Sequence, residues 1–320
     1  MQPVRMTLPI LDATPAWLRR FTKFVAASTL FLIFAGAMVT STGSGLAVPD
    51  WPLSYGMLMP PMVGGIFYEH GHRMIAATVG FLTVLQAIWL QRREPKRFLR
   101  LLGWWSVAAV IAQGLLGGLT VKLLLPKSVS IAHAGLAEIF LCLNVAIAFF
   151  ASKAFLSLRS YERGDAPVAS TTSLVALIYA QILAGALMRH LGAGLAIPQI
   201  WVVPAFTSPG VIVNFAHRIG GILVAAAVVT IAIRLSRFDP NHPLRIVANF
   251  LLLFVATQIL MGVYTVLSLK QPVITSLHVM IGALTFGTSL VLALTARAVA
   301  WRAEKQASGL GPRASVEAAA

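Results

Sequence analysis

The sequence predicts an all-α polytopic membrane protein: eight transmembrane helices as two tandem four-helix bundles related by a pseudo-twofold axis along the membrane normal. Apolar composition, the placement of positive charge and an internal repeat predict this class. Of the 320 residues, 58% are hydrophobic and 11% are charged, and the mean hydropathy is +0.82. A soluble domain does not need so apolar a composition, so the long uncharged runs indicate membrane spans.

Eight windows of about 20 apolar residues are long enough to cross a bilayer as helices. They lie at 21–40, 66–90, 98–119, 129–151, 171–188, 211–233, 246–267 and 273–299. Clusters such as QRREPKR (91–97) and RFDPNHP (237–243) separate them. Proline and charge break helices and favour water, so these clusters are expected to be connections.

The net charge of +15 follows the predicted topology. Most of the 25 Lys and Arg fall on the side that holds both termini, and the opposite side has only Lys122, Lys127, Arg189 and Lys270 outside helix starts. This positive-inside pattern predicts a multi-pass protein of the cell inner membrane with both termini cytoplasmic, and no nucleic-acid partner. The single Cys142 excludes an intrachain disulfide and is expected to have a packing role.

The chain contains an internal repeat. FAGAMVTSTGSGLAVPDW (34–51) aligns with LAGALMRHLGAGLAIPQI (183–200), 149 residues on, and AQGLLGGLTV (112–121) aligns with TQILMGVYTV (257–266), 145 residues on. Four helices per repeat give both halves the same orientation, so the repeat is not inverted. We predict a cytoplasmic tail (1–20), a first bundle (21–157), a cytoplasmic linker (158–170), a second bundle (171–299) and a cytoplasmic tail (300–320).

Each half carries one histidine at the outer start of its second helix and one at the outer start of its fourth. They are His72 and His133 in the first half, and His217 and His278 in the second. Ionisable groups at that depth are costly, and they mark functional sites by default. Two imidazoles on facing helices suit the axial positions of a haem, whereas neither half supplies the four ligands of a zinc site. No structural zinc is therefore predicted.

Charged neighbours distinguish the two halves. Arg73 and Arg218 follow the second-helix histidines, and each could pair with a haem propionate or serve only as an interface anchor. Glu69 lies on the same helix face as His72, but its counterpart in the second half is Asn214. We interpret the first half as the reaction site and the second as a resident-haem site. Glu69 could instead be a carboxylate that the helix dipole favours.

Two further polar residues occur only in the first half. His70 aligns with Phe215, and we expect its side chain to point away from His72 and to be solvated. Glu138 aligns with Ala283 and is a weaker candidate for a proton path.

These motifs resemble the haem A synthase family from about residue 24 to residue 295. The matching stretches are TGSGLAVPDWPLSYG (42–56), EHGHRMIA (69–76), QGLLGGLTV (113–121), AHAGLAE (132–138), FAHRIGG (215–221) and TSLHVMIGAL (275–284). The resemblance implies an oxidoreductase that converts the C8 methyl of haem O to a formyl group, through the alcohol haem I. Its product, haem A, is used by terminal cytochrome oxidases.

The resemblance also implies roles for particular residues and partners. It places His72 and His133 around the substrate haem O, with Glu69 as the essential glutamate, and His217 and His278 around a bound haem b. The expected partners besides haem O are the lipid bilayer, an unidentified electron acceptor and haem O synthase, which would hand over an insoluble substrate. A homo-oligomer is a further expectation.

The outer loop departs from Bacillus-type members of that family, which carry cysteine pairs in outer loops. Here residues 43–65 contain no cysteine and are rich in Pro, Trp and Met. The loop could cover the substrate site or bind the lipophilic tail of haem O. Alternatively, Trp51 and Tyr55 could be interface anchors.

Two other functions account for part of the pattern. A di-haem b electron-transfer protein, exchanging electrons with quinol or a cytochrome, explains four histidines but not Glu69. A transporter built from two repeats predicts broken helices with polar residues at mid-membrane, and the sequence has few of these.

Overall fold

The computed structural model describes residues 14–158, 166–198 and 205–307, and this part of the chain is predominantly helical. The helices are α1 (Ala16–Ser41), α2 (Gly64–Arg93), α3 (Arg97–Lys122), α4 (Lys127–Ala151), α5 (Lys153–Ser157), α6 (Val168–His190), α7 (Pro209–Leu235), α8 (Pro243–Leu267) and α9 (Pro272–Ala307). Within the described ranges, eight of them are long and apolar enough to span a membrane, and α5 is not. The prediction of eight spans is confirmed, and the protein is a multi-pass membrane protein.

The helices extend beyond the apolar windows. The first starts at Ala16, α6 starts at Val168 inside the predicted linker, and α9 continues to Ala307 inside the predicted tail. Hydropathy marks only the apolar stretch, whereas Arg and Lys can continue a helix and reach water from its end. Residues 1–13, 159–165 and 308–320 of the predicted tails and linker lie outside the described residues.

Proline opens several of the long helices. It is the first residue of α7, α8 and α9, and it directly precedes α1, α4 and α6. Its fixed φ and missing N–H suit the first turn, where an N–H has no partner within the helix. Side chains add caps at two starts, because Ser208 accepts from Val211 N and His242 accepts from Leu244 N.

The long helices form two rings of neighbours. In the first ring α1, α2, α3 and α4 pack in succession and α4 packs back on α1; α6, α7, α8 and α9 do the same in the second. The rings meet through α1 with α9, α4 with α6, and α4 with α9. A pseudo-twofold axis would exchange the first two of these contacts and keep the third. The tandem-bundle arrangement stays a prediction, which these contacts support.

The interiors of the rings differ in polarity. In α1–α4 a buried network joins one residue from each helix: Gln86 Nε2 and Ser106 Oγ donate to Asn144 Oδ1 at 2.9 and 3.1 Å, and Asn144 Nδ2 donates to Thr29 Oγ1 at 3.4 Å. The positions that correspond by the repeat offsets are Ile178, Ile231, Leu251 and Ser289. The first three belong to a large apolar cluster. At this level the first ring therefore has polar bonds between helices where the second has mainly apolar packing.

Candidate functional site

Two of the four histidine rings lie directly against a glycine on the first helix of their own half. A Cβ built on Gly36 would lie 2.9 Å from His72 Cε1, and one built on Gly185 would lie 2.8 Å from His217 Cε1. Side-chain Cβ atoms essentially never approach a neighbour so closely, so each ring fills the space that the missing side chain leaves. Gly36 and Gly185 are 149 residues apart, which is the offset of the repeat there.

The other two histidines make the same kind of contact with the third helix of their half. A Cβ on Gly117 would lie 3.4 Å from His133 Cε1, and one on Gly262 would lie 3.1 Å from His278 Cε1. These glycines are 145 residues apart, as are the two histidines. Each half therefore sets its two imidazoles against helix backbone at corresponding places.

The structure brings the predicted pairs together. His72 lies within electrostatic range of His133, and His278 lies within range of His217. Among the described residues, no three His, Cys, Asp or Glu side chains gather where they could hold one metal ion. Each site therefore offers two imidazoles, a ligand set that suits the two axial positions of a haem.

Hydrogen bonds orient the second pair. His278 Nδ1 donates to Gln258 O at 3.1 Å, and His217 Nδ1 lies 3.1 Å from Gln181 Nε2. The bond from His278 Nδ1 to a carbonyl orients that ring and leaves Nε2, which lies 3.4 Å from Gln258 Nε2, as its metal-binding nitrogen, whereas at His217 the Gln181 amide donates to Nδ1. The sequence pattern does not mark either glutamine as a partner of histidine. The one available signal is the 145-residue offset between Gln113 and Gln258.

The first histidine pair has ring nitrogens without hydrogen-bond partners. The Nδ1 atoms of His72 and His133 are both buried, and neither has a hydrogen-bond partner. Buried polar atoms are usually paired, so the first pair is less firmly held by hydrogen bonds than the second. Two imidazoles on facing helices, each set against helix backbone at a glycine, are residues that suit a haem.

Glu69 is buried and joins α2 to the outer loop. Its Oε1 accepts from Arg73 Nη2 at 2.6 Å, and its Oε2 accepts from Val48 N at 2.8 Å. Arg73 also donates to the carbonyl oxygens of Val48, Asp50 and Leu53 at 3.2, 2.8 and 3.0 Å. Both terminal nitrogens of the Arg73 guanidinium therefore already donate hydrogen bonds to loop carbonyls. The predicted pairing of Arg73 with a propionate stays a prediction.

The second half keeps the arginine contact without the carboxylate. Arg218 Nη2 donates to Ile197 O at 2.5 Å, and Ile197 corresponds to Val48 of the first half. Asn214, in the place of Glu69, is buried and donates to Ala193 O and Gly194 O at 2.7 and 3.2 Å. In both halves the arginine that follows the histidine donates to a carbonyl of the outer loop. Only the first half has a carboxylate, Glu69, where the second has Asn214.

His70 is buried, with 6% of its surface exposed, so the prediction that it is solvated is wrong. Its Nδ1 lies 2.8 Å from Ser54 Oγ. Helix periodicity correctly turns His70 away from His72, but it says nothing of what packs there. The outer loop folds back over the start of α2 and covers the ring.

The outer loop has its own internal structure. Asp50 accepts from Tyr55 N at 2.6 Å and from Gly56 N at 2.8 Å, and the Gly56 bond in particular holds the pKa of Asp50 below its usual value. The hydroxyl of Tyr55 donates to Ala47 O at 2.7 Å. These bonds fold the loop upon itself, and the predicted anchoring of Tyr55 in the interface is not needed to explain its position.

Trp51 extends from this loop to α3. A Cβ on Gly118 would lie 2.8 Å from the Trp51 ring, and the preceding Gly117 supports the His133 ring. The indole and the His133 ring therefore pack against consecutive glycines of α3. This position agrees with the expectation that the loop covers the site.

Glu138 and Cys142 lie one turn apart on α4. Glu138 is buried, and its Oε2 has no partner. Cys142 is partly buried, packs against the apolar cluster of the second ring and lines a groove with Tyr179 and Phe286. The packing contact of Cys142 agrees with expectation, and a proton path through Glu138 stays a prediction.

Comparison with known proteins gives the family. The model of the cytochrome oxidase assembly protein family COX15-CtaA matches residues 63–291, a range that holds Glu69 and all four histidines. The chain belongs to this family. The proteins to which it is similar include one from Symbiobacterium thermophilum, 30% identical over 249 residues (73% of this chain, 80% of the relative), and one from Shouchella clausii, 30% identical over 276 residues (78% and 87%). A third, from Geobacillus kaustophilus, is 26% identical over 324 residues (91% and 98%). All three relatives are named Heme A synthase.

Proposed function

We propose that this protein is a haem A synthase, an oxidoreductase that converts the C8 methyl of haem O to a formyl group through the alcohol haem I. The observation that carries the proposal is the pair of matching two-histidine sites, of which only the first has a buried carboxylate, Glu69. Membership of the COX15-CtaA family and the names of its relatives support it.

The two sites have different occupants in this proposal. His72 and His133, whose Nδ1 atoms lack partners, hold haem O as substrate together with Arg73. His217 and His278, which glutamines orient, hold haem b together with Arg218. Histidine rings that are held by hydrogen bonds suit a resident cofactor. Rings with an unpaired nitrogen suit a substrate that enters and leaves. Bound haem b would supply one-electron redox chemistry.

Glu69 has the position for proton chemistry. Conversion of a methyl to a formyl group adds an oxygen atom, and where water supplies that atom the oxidation releases both electrons and protons, so the first site needs an acceptor for protons. The Glu69 carboxylate lies one turn from His72 and is oriented by Arg73 and Val48 N. There it takes or relays a proton, or stabilises positive charge at the reacting carbon. The Arg73 guanidinium fixes the oxygen atoms in place.

The outer loop would shield the first site from water. Arg73 holds its carbonyls, Ser54 contacts His70, and Trp51 packs on α3 beside His133. A covered site limits side reactions of the partly oxidised substrate. The same loop is a surface for the lipophilic tail of haem O.

The orientation of the helices in the membrane follows from the placement of positively charged residues. Arg92 and Arg93 end α2, and Arg234 lies in the last turn of α7, on the side assigned to the cytoplasm. Both termini are then cytoplasmic, and the histidine sites lie toward the outer leaflet of the inner membrane. An electron acceptor and haem O synthase are the proposed partners.

Extraction of bound haem from the purified protein tests the function. The expression host should make haem O and lack its own haem A synthase, and chromatography with mass detection would identify each haem. We expect haem A or haem I together with haem b. Haem b with unchanged haem O, from folded protein with an acceptor present, would favour a di-haem electron-transfer protein. Absence of any haem would contradict the assignment of all four histidines.

A further inference from the structure

The last turn of α6 carries a second difference between the halves. It contains Arg189 and His190, whereas the corresponding residues at the end of α1 are Thr40 and Ser41. A cation at the end of a span can reach water, but the Arg189 side chain is partly buried against α1 instead. Nothing in the proposed roles of the four histidines accounts for this pair.

Arg189 crosses from the second ring to the first. Its Nη2 donates to Ala37 O and to Ser41 Oγ of α1, both at 2.7 Å. Ser41 Oγ in turn lies 2.9 Å from Ser276 Oγ of α9, and Ser276 is fully buried. One chain of hydrogen bonds therefore connects α6, α1 and α9, two helices of one ring with one of the other.

The residues of this chain neighbour both histidine sites. Ala37 directly follows Gly36, against which the His72 ring lies. On α6, Arg189 lies one turn after Gly185, against which the His217 ring lies, and the Arg189 charge also acts on His278. His190, the next residue, lies within electrostatic range of His133. The last turn of α6 thus stands between the two pairs.

We propose that Arg189 is a positioning residue that joins the two sites and that its charge favours the reduced form of the haem held by His217 and His278. This inference rests on the proposed function. Reduction adds negative charge to a haem, and a fixed cation in a medium of low dielectric constant stabilises that charge. Arg189 therefore raises the midpoint potential of haem b, which favours electron transfer from the first site to the second.

The test is a redox titration of haem b in purified Arg189→Gln, monitored by its absorbance. Glutamine keeps a polar side chain but removes the charge, so we expect a lower midpoint potential with haem b still bound. Arg189→Lys keeps the charge and should stay near the wild-type potential. Arg245→Gln is the matched control, because Arg245 also donates to backbone carbonyls, those of Ser236 and Phe238, but at the opposite end of the second ring. Its potential should not change.

An unchanged potential in Arg189→Gln, or an equal shift in Arg245→Gln, would overturn the proposal. If Arg189→Gln does not retain haem, the midpoint potential of haem b in Arg189→Lys is the deciding measurement. A potential close to that of the wild type supports the role of charge, and a clear shift contradicts it. Failure of the proposed function looks different, because the wild-type protein itself would then contain no haem b, or would contain haem b and leave haem O unchanged.

Discussion

At the scale of single residues, Glu69 is the residue on which the proposed chemistry depends most. It is buried, yet its two oxygens are bound by Arg73 and by Val48 N. A buried carboxylate is tolerated only where charge and hydrogen bonds compensate it, so the surrounding loop has to be built around this group. Asn214 shows that the corresponding place in the second half is filled by a neutral side chain of similar shape.

Replacing Glu69 by glutamine should separate binding from catalysis. Glutamine retains an oxygen that can accept from Val48 N, but it cannot take up a proton. We expect Glu69→Gln to bind haem b normally and to lose about 10²-fold or more in the yield of haem A, the usual size of an effect on general acid–base catalysis. Haem extraction measures both quantities in one sample. The control is Asn214→Ala in the second half, which should keep haem A formation. Normal haem A yield from Glu69→Gln would remove this residue from the mechanism.

At the scale of helices, glycine sets how close each histidine comes to a neighbouring backbone. Gly36 and Gly185 are the tightest of these contacts, and they serve different sites. Small residues let membrane helices approach, and here the space that they leave is taken by an imidazole ring.

An alanine at each of these glycines should affect one site at a time. In Gly185→Ala the new Cβ would lie 2.8 Å from His217 Cε1, so the ring or α6 must move. We expect less bound haem b in this variant and unchanged haem b in Gly36→Ala, where haem O and haem A should decrease instead. Gly114→Ala is the control, since a Cβ there meets no atom within 4 Å. Equal loss of haem b from Gly36→Ala and Gly185→Ala would contradict the assignment of occupants.

The eight spans could be predicted because hydropathy and length are local properties of the chain, and the histidine pairs could be predicted because the repeat places them alike. Contacts between segments that are far apart in the sequence could not be predicted. The burial of His70 depends on a loop that folds back from residue 54, and the bond from Arg189 to Ala37 joins residues 152 apart. The hydrophobic periodicity of a sequence carries no information about such contacts. The ends of the helices were also missed, because charged residues continue a helix beyond its apolar part.

At the scale of the whole molecule, the two rings pack their helices in the same order and differ in their polar residues. The first has Glu69 and the buried network around Asn144; the second has Arg189, Gln181 and an apolar interior. Under the proposed function, these differences would suit one half to bind and oxidise a substrate and the other to hold a cofactor. The hydrogen bonds from Arg189 keep the two sites at a fixed separation.

The most direct test of this division is the haem content of two matched variants, His72→Ala and His217→Ala, expressed in the host that makes haem O. Each loses one imidazole from an equivalent place in its own half. We predict that His72→Ala keeps haem b and contains no haem A, whereas His217→Ala loses haem b and still binds haem O. Loss of haem b from His72→Ala with its retention in His217→Ala would reverse the two halves, and haem A at the wild-type level in either variant would contradict the account.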